Sequence, residues 1–253
     1  MKKFLLLICV LLALCSCQNK PNKEITIEPH KDEQEVIAEV DEARLEEYKV
    51  LNAAFDENYH ITHDFRGFIK VGNLVDLPFV QGKSNDTYLR KDWYTMNYDE
   101  EGSIFLDSNN YLDDQNLIIY GHYVYHSYEP SGTHKFTPLE KLIDEKNYED
   151  NKYITLQLES EIRTYEIGIV FYIDTYVEDG VRYTYPGYVY YYPNYPDDYF
   201  DEYIKNAYDA AFYDTGVEIT KEDKLLTLQT CVEGKENLRE IIVAKQIDIE
   251  RTR

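Results

Sequence analysis

A single cysteine and a single arginine flank one predicted turn near the end of the chain. Cys231 closes an apolar segment that starts at Leu225, residues 232–237 are mostly polar, and Arg239 opens the next apolar segment. This order predicts a β-hairpin whose strands hold the thiol and the guanidinium near each other. Arginine beside a cysteine favours the thiolate, which is the nucleophilic form, and it can donate hydrogen bonds to a developing oxyanion.

A cysteine nucleophile usually works with a histidine that moves protons. The chain has six histidines, namely His30, His60, His63, His122, His126 and His134. His122 comes directly after the apolar run of residues 116–120, and Gly121 between them permits a close backbone approach. The other five lie in polar surroundings, and any single histidine can equally be a surface or structural residue. We therefore expect His122 to pair with Cys231.

The segments that must position these residues have mostly β-strand patterns. We predict strands at residues 65–71, 74–81, 104–106, 117–120, 153–158, 165–173, 224–230 and 240–247. We predict helices at residues 138–144 and 196–213, and an N-terminal helical arm at residues 33–58. The arm carries an apolar stripe that would pack on the domain, formed by Val36, Ile37, Val40, Leu45, Tyr48, Leu51 and Phe55. Many short strands with few helices predict a β-barrel core with helical insertions.

The N-terminus has the pattern of an export signal. Residues 1–16 begin with a short basic start and continue as an apolar run that is too short to span a membrane comfortably. The run ends in Leu14-Cys15-Ser16-Cys17, which looks like a bacterial lipobox, so we expect cleavage before Cys17 and a lipid on that thiol. An uncleaved signal anchor is the alternative. Either way, we expect an extracytoplasmic protein that is anchored to the outer face of the cell membrane.

Three parts follow from this interpretation: a signal peptide at residues 1–16, a polar tether at 17–35 and a catalytic domain at 36–253. The chain has four cysteines, of which Cys9 and Cys15 would leave with the signal peptide and Cys17 would carry lipid. Cys231 is then the one thiol of the mature domain, without a disulfide partner. A lone thiol of this kind is either a buried spectator or a reactive group.

The charge of the chain excludes one class of partner. Asp and Glu outnumber Lys and Arg by 48 to 26, so the net charge is −22, and we find no basic patch that could bind a phosphate backbone. We therefore expect no nucleic-acid partner.

Several segments together resemble a known enzyme family. Tyr120-Gly121-His122, the run Thr227-Leu228-Gln229-Thr230-Cys231 and Arg239 resemble the paired signatures of sortases. Further segments resemble the class B sortases, namely Gly67-Phe68-Ile69, Leu77-Pro78-Phe79-Val80-Gln81, Asn85-Asp86-Thr87-Tyr88-Leu89 and Gly102-Ser103-Ile104-Phe105-Leu106-Asp107. The resemblance runs in the right order from about residue 48 to residue 247.

The resemblance implies a mostly β fold: an eight-stranded sortase-type β-barrel with an N-terminal helical arm and a helix inserted before the cysteine strand. It implies transpeptidation, in which Cys231 attacks the Thr carbonyl of an Asn-Pro-Xaa-Thr-like sorting signal. His122 would move protons and Arg239 would hold the oxyanion. A thioester would form, and an amine of peptidoglycan or of a pilin would release it.

By position in the motifs, Asn85, Leu89 and Thr230 would bind the substrate peptide, although loop and core roles explain Asn85 and Leu89 equally well. Two features depart from the class B pattern: a lipobox in place of a transmembrane anchor, and Gln229 where a smaller residue is common. We predict no cofactor, no metal ion and a monomer. A hydrolase that cleaves the same peptide and a non-catalytic surface binding lipoprotein are the alternatives.

Overall fold

The computed structural model describes residues 31–124, 135–178, 181–185, 191–196 and 198–253. The chain divides into two units, residues 1–43 and residues 44–253. Of the first unit, only the helical backbone that begins at Lys31 is described. The β-strands, the hydrophobic core and the candidate site all lie in the second unit.

Nine strands and three α-helices make up the described residues. The strands are β1 (Phe65–Val71), β2 (Val75–Val80), β3 (Ile104–Leu106), β4 (Asn116–Tyr120), β5 (Tyr153–Gln157), β6 (Glu161–Glu178), β7 (Val181–Tyr185), β8 (Leu225–Val232) and β9 (Lys235–Arg251). The helices are α1 (Lys31–Ile61), α2 (Tyr148–Asn151) and α3 (Phe200–Ala210), with 3-10 helices at Thr137–Ile143 and Glu145–Asn147.

Eight of the strands form a closed barrel. Their order is β5-β1-β2-β3-β4-β8-β9-β6, and pairing of β5 with β6 closes the ring, while β7 pairs with β6 alone. Two neighbouring pairs are parallel, β2 with β3 and β4 with β8, and the remaining pairs are antiparallel. This architecture confirms the predicted mostly β fold with an eight-stranded barrel.

Alternation along the strands separates two apolar clusters, because successive side chains of a strand point to opposite faces. The first cluster fills the barrel and includes Ile119 of β4, Leu228 of β8 and Ile242 of β9. The second cluster lies on the other face of the same strands, and side chains of α3 pack there against Ile118 and Ile241. Both faces of β4, β8 and β9 are therefore covered by apolar side chains, which makes these strands a rigid support.

Some strands extend further than the sequence pattern predicts. Strand β6 has 18 residues and β9 has 17, whereas we predicted nine and eight. Irregularities in the β6–β9 register at Thr164/Tyr165 and Ile167/Ile169 shift the alternation, so the period that marks a strand is interrupted. The pattern also missed β7, which pairs with β6 alone.

The helix before the cysteine strand is present but shorter than predicted. Helix α3 begins at Phe200 rather than Pro196, because residues 194–196 are not helical and Asn194 and Tyr195 bond to Gln115 instead. The helix ends at Ala210, since the Phe212 N–H bonds to the Val170 carbonyl of β6. The predicted helix at residues 138–144 is a 3-10 helix, Thr137–Ile143.

The N-terminal helix α1 is observed, and part of its predicted apolar stripe is wrong. Phe55 is buried, with 4% of its surface exposed, whereas Leu45 is 58% exposed. The side chains of Val36, Ile37 and Val40 lie outside the described residues. None of the helices in the described part of the chain combines the length and the apolar character that crossing a membrane requires.

Candidate active site

The β8–β9 hairpin places Cys231 and Arg239 directly opposite each other. The two residues are paired in the antiparallel register, so their side chains lie on the same face of the hairpin. The connection is tighter than the predicted turn at residues 232–237: β8 runs to Val232 and β9 starts at Lys235. Gly234 completes this short turn with a φ of +63°, a conformation that glycine adopts without strain.

The parallel pairing of β4 with β8 brings His122 to the same place. Tyr120 pairs with Gln229, and the Gly121 N–H bonds to the Gln229 carbonyl at 3.1 Å. His122 and Cys231 each lie two residues beyond this pair, at the ends of adjacent strands. Gly121 is needed here, because an added Cβ would lie 2.5 Å from Ile104 Cδ1 and 2.6 Å from the Phe136 ring.

One cavity of about 600 Å³ joins the three residues that the sequence singled out. Its lining consists of Asn85, Asp86, Leu89, Phe105, Tyr120, Gly121, His122, Gln229, Thr230, Cys231 and Arg239. Thus His122, Cys231 and Arg239 converge in one groove, as expected. Cys231 is half-buried, so its thiol is both held by the strand and reachable from the cavity.

The surroundings of His122 make its imidazolium less stable than in water. Burial lowers the pKa of His122, and the nearby charges of Arg90 and Lys135 lower it further. The hydrogen bond to the Leu89 carbonyl and the charge of Asp99 raise the pKa in part. His122 Nε2 lies 2.7 Å from this carbonyl oxygen, and because a carbonyl only accepts, Nε2 carries the hydrogen. Nδ1 is then the nitrogen that remains for proton transfer.

The three predicted substrate-binding residues all line the cavity. The Asn85 amide is engaged on both sides, because its Nδ2 donates to Asp107 Oδ2 and its Oδ1 accepts from the Ser108 N–H. Leu89 is partly exposed, and Thr230 is almost fully buried. Their position fits a peptide groove, and contact of each residue with substrate stays a prediction.

Some residues in and around the cavity have contacts that the sequence analysis did not predict. The Tyr120 hydroxyl donates to Asp107 Oδ2, which also accepts from Asn85, so this buried carboxylate ties β4 to the loop after β2. Gly102 lets the backbone of that loop approach, since an added Cβ would lie 2.4 Å from the Leu89 carbonyl oxygen. Asp107 and Gly102 lie in a segment that carries the family resemblance. Only the contacts in the structure reveal that they hold the loop that carries the Leu89 carbonyl, the acceptor of the His122 hydrogen bond.

The predicted lipid-attachment residue and the histidines that were set aside in favour of His122 lie elsewhere or outside the described chain. Cys17, His30, His126 and His134 are outside the described residues. His63 packs against Tyr59, with ring centroids 4.7 Å apart. Within the described ranges, no group of three or more histidine, cysteine, aspartate or glutamate side chains is arranged to hold a metal ion.

Known proteins with similar sequences and structures are sortases. No family model matches the chain. Sortase B of Staphylococcus aureus is 26% identical over 198 residues, which cover 76% of this chain and 74% of the relative. The X-ray structure of Clostridium perfringens sortase B is 29% identical, covers 76% of this chain and 99% of that chain, and superposes with a TM-score of 0.63.

A substrate complex of Staphylococcus aureus sortase B has a TM-score of 0.64 and covers 86% of this chain and 98% of that chain; at 24% identity, it shows the shared fold. The barrel and these similarities indicate a sortase, which is a cysteine transpeptidase. Within the sortases, the similarities support the sortase B family for this chain.

Proposed function

We propose that this protein is a class B-type sortase that cleaves an Asn-Pro-Xaa-Thr-like sorting signal after Thr and transfers the product to an amine of the cell wall or of a pilin. The cross-strand pairing of Cys231 with Arg239, beside His122 in one cavity, is the observation that carries this proposal. Similarity to a sortase B that was solved as a substrate complex supports a peptide in the groove.

In the first half of the reaction, the Cys231 thiolate adds to the Thr carbonyl carbon of the sorting signal. The carbonyl oxygen becomes an oxyanion, and the Arg239 guanidinium donates hydrogen bonds to it. The C–N bond to the next residue then breaks, and the leaving amine takes a proton from Nδ1 of the His122 imidazolium. The products are a thioester on Cys231 and the freed C-terminal peptide.

In the second half, an incoming amine adds to the thioester carbonyl and gives its proton to His122. The C–S bond breaks, Cys231 leaves as thiolate, and a new amide bond forms. The imidazolium and the thiolate that began the cycle are thereby restored. No redox step or additional reactant is needed, since one amide bond replaces another.

The direct test incubates the protein with a panel of fluorogenic sorting pentapeptides and an amine acceptor, with mass spectrometry of the products. We expect cleavage after Thr and an amine adduct, both absent from Cys231→Ala. Cleavage that yields only the free acid would favour the hydrolase. If no peptide is cleaved, the activity proposal fails and a non-catalytic binding lipoprotein becomes the better interpretation.

The proposed location is the outer face of the cell membrane, where a lipid on Cys17 would hold the domain. The lipobox-like residues 14–17 support this proposal. The test is metabolic labelling with a fatty-acid analogue in a bacterial host, with Cys17→Ala beside the wild type and Cys15→Ala as the matched control. Label on the wild type and on Cys15→Ala, but not on Cys17→Ala, is expected; equal labelling of Cys17→Ala would contradict it.

A further inference from the structure

A buried glutamate occupies the position next to Arg239. Glu240 of β9 is 1% exposed, and it lies on the face of β9 that points into the barrel, in alternation with Ile242. Arg239 points to the opposite face, toward the cavity with Cys231. A carboxyl group in an apolar barrel costs free energy unless it is hydrogen-bonded or neutral.

The residue opposite Glu240 also has an unsatisfied polar atom. Glu240 pairs with Thr230 across the β8–β9 ladder, and Thr230 is 2% exposed. Neither Glu240 Oε1 nor Thr230 Oγ1 has a hydrogen-bond partner among the described residues. Cβ atoms of directly opposed residues lie about 4.5–5.5 Å apart, so a hydroxyl and a carboxyl that do not bond each other directly can both reach one water between them.

The groups that act on Glu240 keep its proton on the carboxyl. Burial raises the pKa of Glu240 to about 8, and the charge of Glu140 in the 3-10 helix adds to this. Burial raises the pKa values of Tyr172 on β6 and Tyr213 after α3, and the charge of Glu240, where present, raises them further. The carboxyl is therefore largely protonated at neutral pH, and it can donate a hydrogen bond as well as accept one.

We propose that Glu240 is a positioning residue for the Cys231–Arg239 pair: its neutral carboxyl and the Thr230 hydroxyl, which make no direct hydrogen bond in this structure, are hydrogen-bonded through one buried water and so hold the ends of β8 and β9 in register. Because Thr230 precedes Cys231 and Glu240 follows Arg239, this water bridge fixes the two backbone positions that set the reactive pair. The inference rests on the proposed function for its link to catalysis, but the register itself can be measured without activity.

Ionisation of Glu240 would reverse this effect. A Glu240 carboxylate would be repelled by Glu140 of the 3-10 helix, and it would have lost the hydrogen that it donates. A buried charge without a partner draws in water, which separates the strand ends. The hairpin would therefore loosen at alkaline pH, and the Cys231–Arg239 geometry with it.

The first test is the pH profile of kcat/KM for the wild type, Glu240→Gln and the control Glu233→Gln. The control removes the same charge from an exposed residue of the same hairpin. With each protein normalised at about pH 6, we expect the wild type and the control to fall about tenfold below Glu240→Gln at about pH 9. Coinciding profiles of the wild type and Glu240→Gln would overturn the proposal.

A second variant separates positioning from simple electrostatics. In a Thr230→Val background the hydroxyl is absent. Glu240→Gln should then no longer change how kcat/KM falls at alkaline pH. A change that persists undiminished in this background would mean that the charge of Glu240 acts on the cavity through space, and the positioning role would be wrong.

Backbone hydrogen exchange provides a readout that does not need activity. At about pH 9, amides of residues 228–232 and 238–242 should exchange faster in the wild type than in Glu240→Gln, and at about pH 6 equally. If no peptide is ever cleaved, the proposed function fails while exchange still decides on Glu240. If Glu240→Gln does not fold, the wild type alone provides the test. Its residues 228–232 and 238–242 must then lose protection from exchange as the pH rises through about 8, while the residues of β1 and β2 keep theirs.

Discussion

Arg239 is the residue at which the proposed chemistry depends most on side-chain shape. Its planar guanidinium presents a fixed set of donors, whereas lysine has the same charge on a flexible stem. We expect Arg239→Lys to lower kcat by roughly 10²–10³-fold, the usual cost of one oxyanion donor. Steady-state kinetics with the cleaved pentapeptide measures this.

The matched control for that change is Arg251→Lys at the exposed far end of β9, where the side chain pairs with Glu161. It should leave kcat unchanged. A kcat of Arg239→Lys close to that of the wild type would mean that charge alone suffices, and it would remove the shaped oxyanion site from the mechanism.

The Cys231–His122 pair determines where activity is lost in acid: the active form is the thiolate with the imidazolium, so acid stops the reaction by adding a second proton to the pair. The acid limb of kcat/KM reports the lower pKa of the catalytic groups, and burial lowers the pKa of His122 below its ordinary value. We therefore expect the acid limb to lie below about pH 6.5. A limb above that value would contradict the assignment of His122.

Two charge changes near His122 should move this limb in opposite directions. Arg90 lowers the pKa of His122 and Asp99 raises it. Arg90→Gln should therefore shift the acid limb to higher pH and Asp99→Asn should shift it to lower pH, and solvent screening keeps both shifts small. Shifts in the same direction in the two variants would refute the electrostatic account.

At the scale of elements, Gly121 controls how closely β4 delivers His122 to the end of β8. A Cβ at this position would press on Ile104 and on the Phe136 ring inside the barrel. We expect Gly121→Ala to lower the free energy of unfolding by about 1–3 kcal/mol and to lower kcat/KM at least about tenfold, because His122 is displaced. Urea unfolding and kinetics measure the two effects.

Gly168 on β6 offers a control for overpacking alone. An added Cβ would lie 2.9 Å from Ile219 Cδ1, the end of a flexible side chain away from the cavity. Gly168→Ala should change stability without changing kcat/KM. If Gly121→Ala behaves in the same way, the close approach at Gly121 serves packing rather than placement of His122.

At the scale of the whole molecule, the second half of α1 is tied to the C-terminal end of β9. Asn52 Nδ2 donates to the Thr252 carbonyl at 2.8 Å, and Arg44 forms an ion pair with Glu250. Phe55 packs edge-on against Phe65 of β1, with ring centroids 5.1 Å apart. Phe55→Ala should therefore cost about 3–5 kcal/mol in the free energy of unfolding.

The control in the same helix is Leu45→Ala, because Leu45 is largely exposed. It should change the free energy of unfolding by no more than about 0.5 kcal/mol. Urea unfolding measures both effects. If Phe55→Ala and Leu45→Ala lower the free energy of unfolding equally, burial of a side chain does not determine how much that residue of α1 contributes to stability.

The local elements and the candidate reactive groups could be predicted from the sequence alone. Residues 65–71, 104–106 and 153–158 alternate or are continuously apolar, and the structure has strands there. Side-chain period and turn residues are local properties, so they can be predicted without knowing the fold. The hairpin that pairs Cys231 with Arg239 is also local, since a short turn joins its strands.

Only the tertiary structure decided which distant elements meet. The parallel pairing of β4 with β8 joins segments more than a hundred residues apart, and nothing in either segment specifies this neighbour. The contact of His122 with the Leu89 carbonyl, and the burial that lowers the pKa of His122, also need the loop after β2, which is distant in sequence from His122. No local sequence pattern predicts the burial of Glu240 either. Glu240 is buried opposite Thr230 because the barrel closes around the inward face of β9, and a strand has an inward face only when all its neighbours are in place.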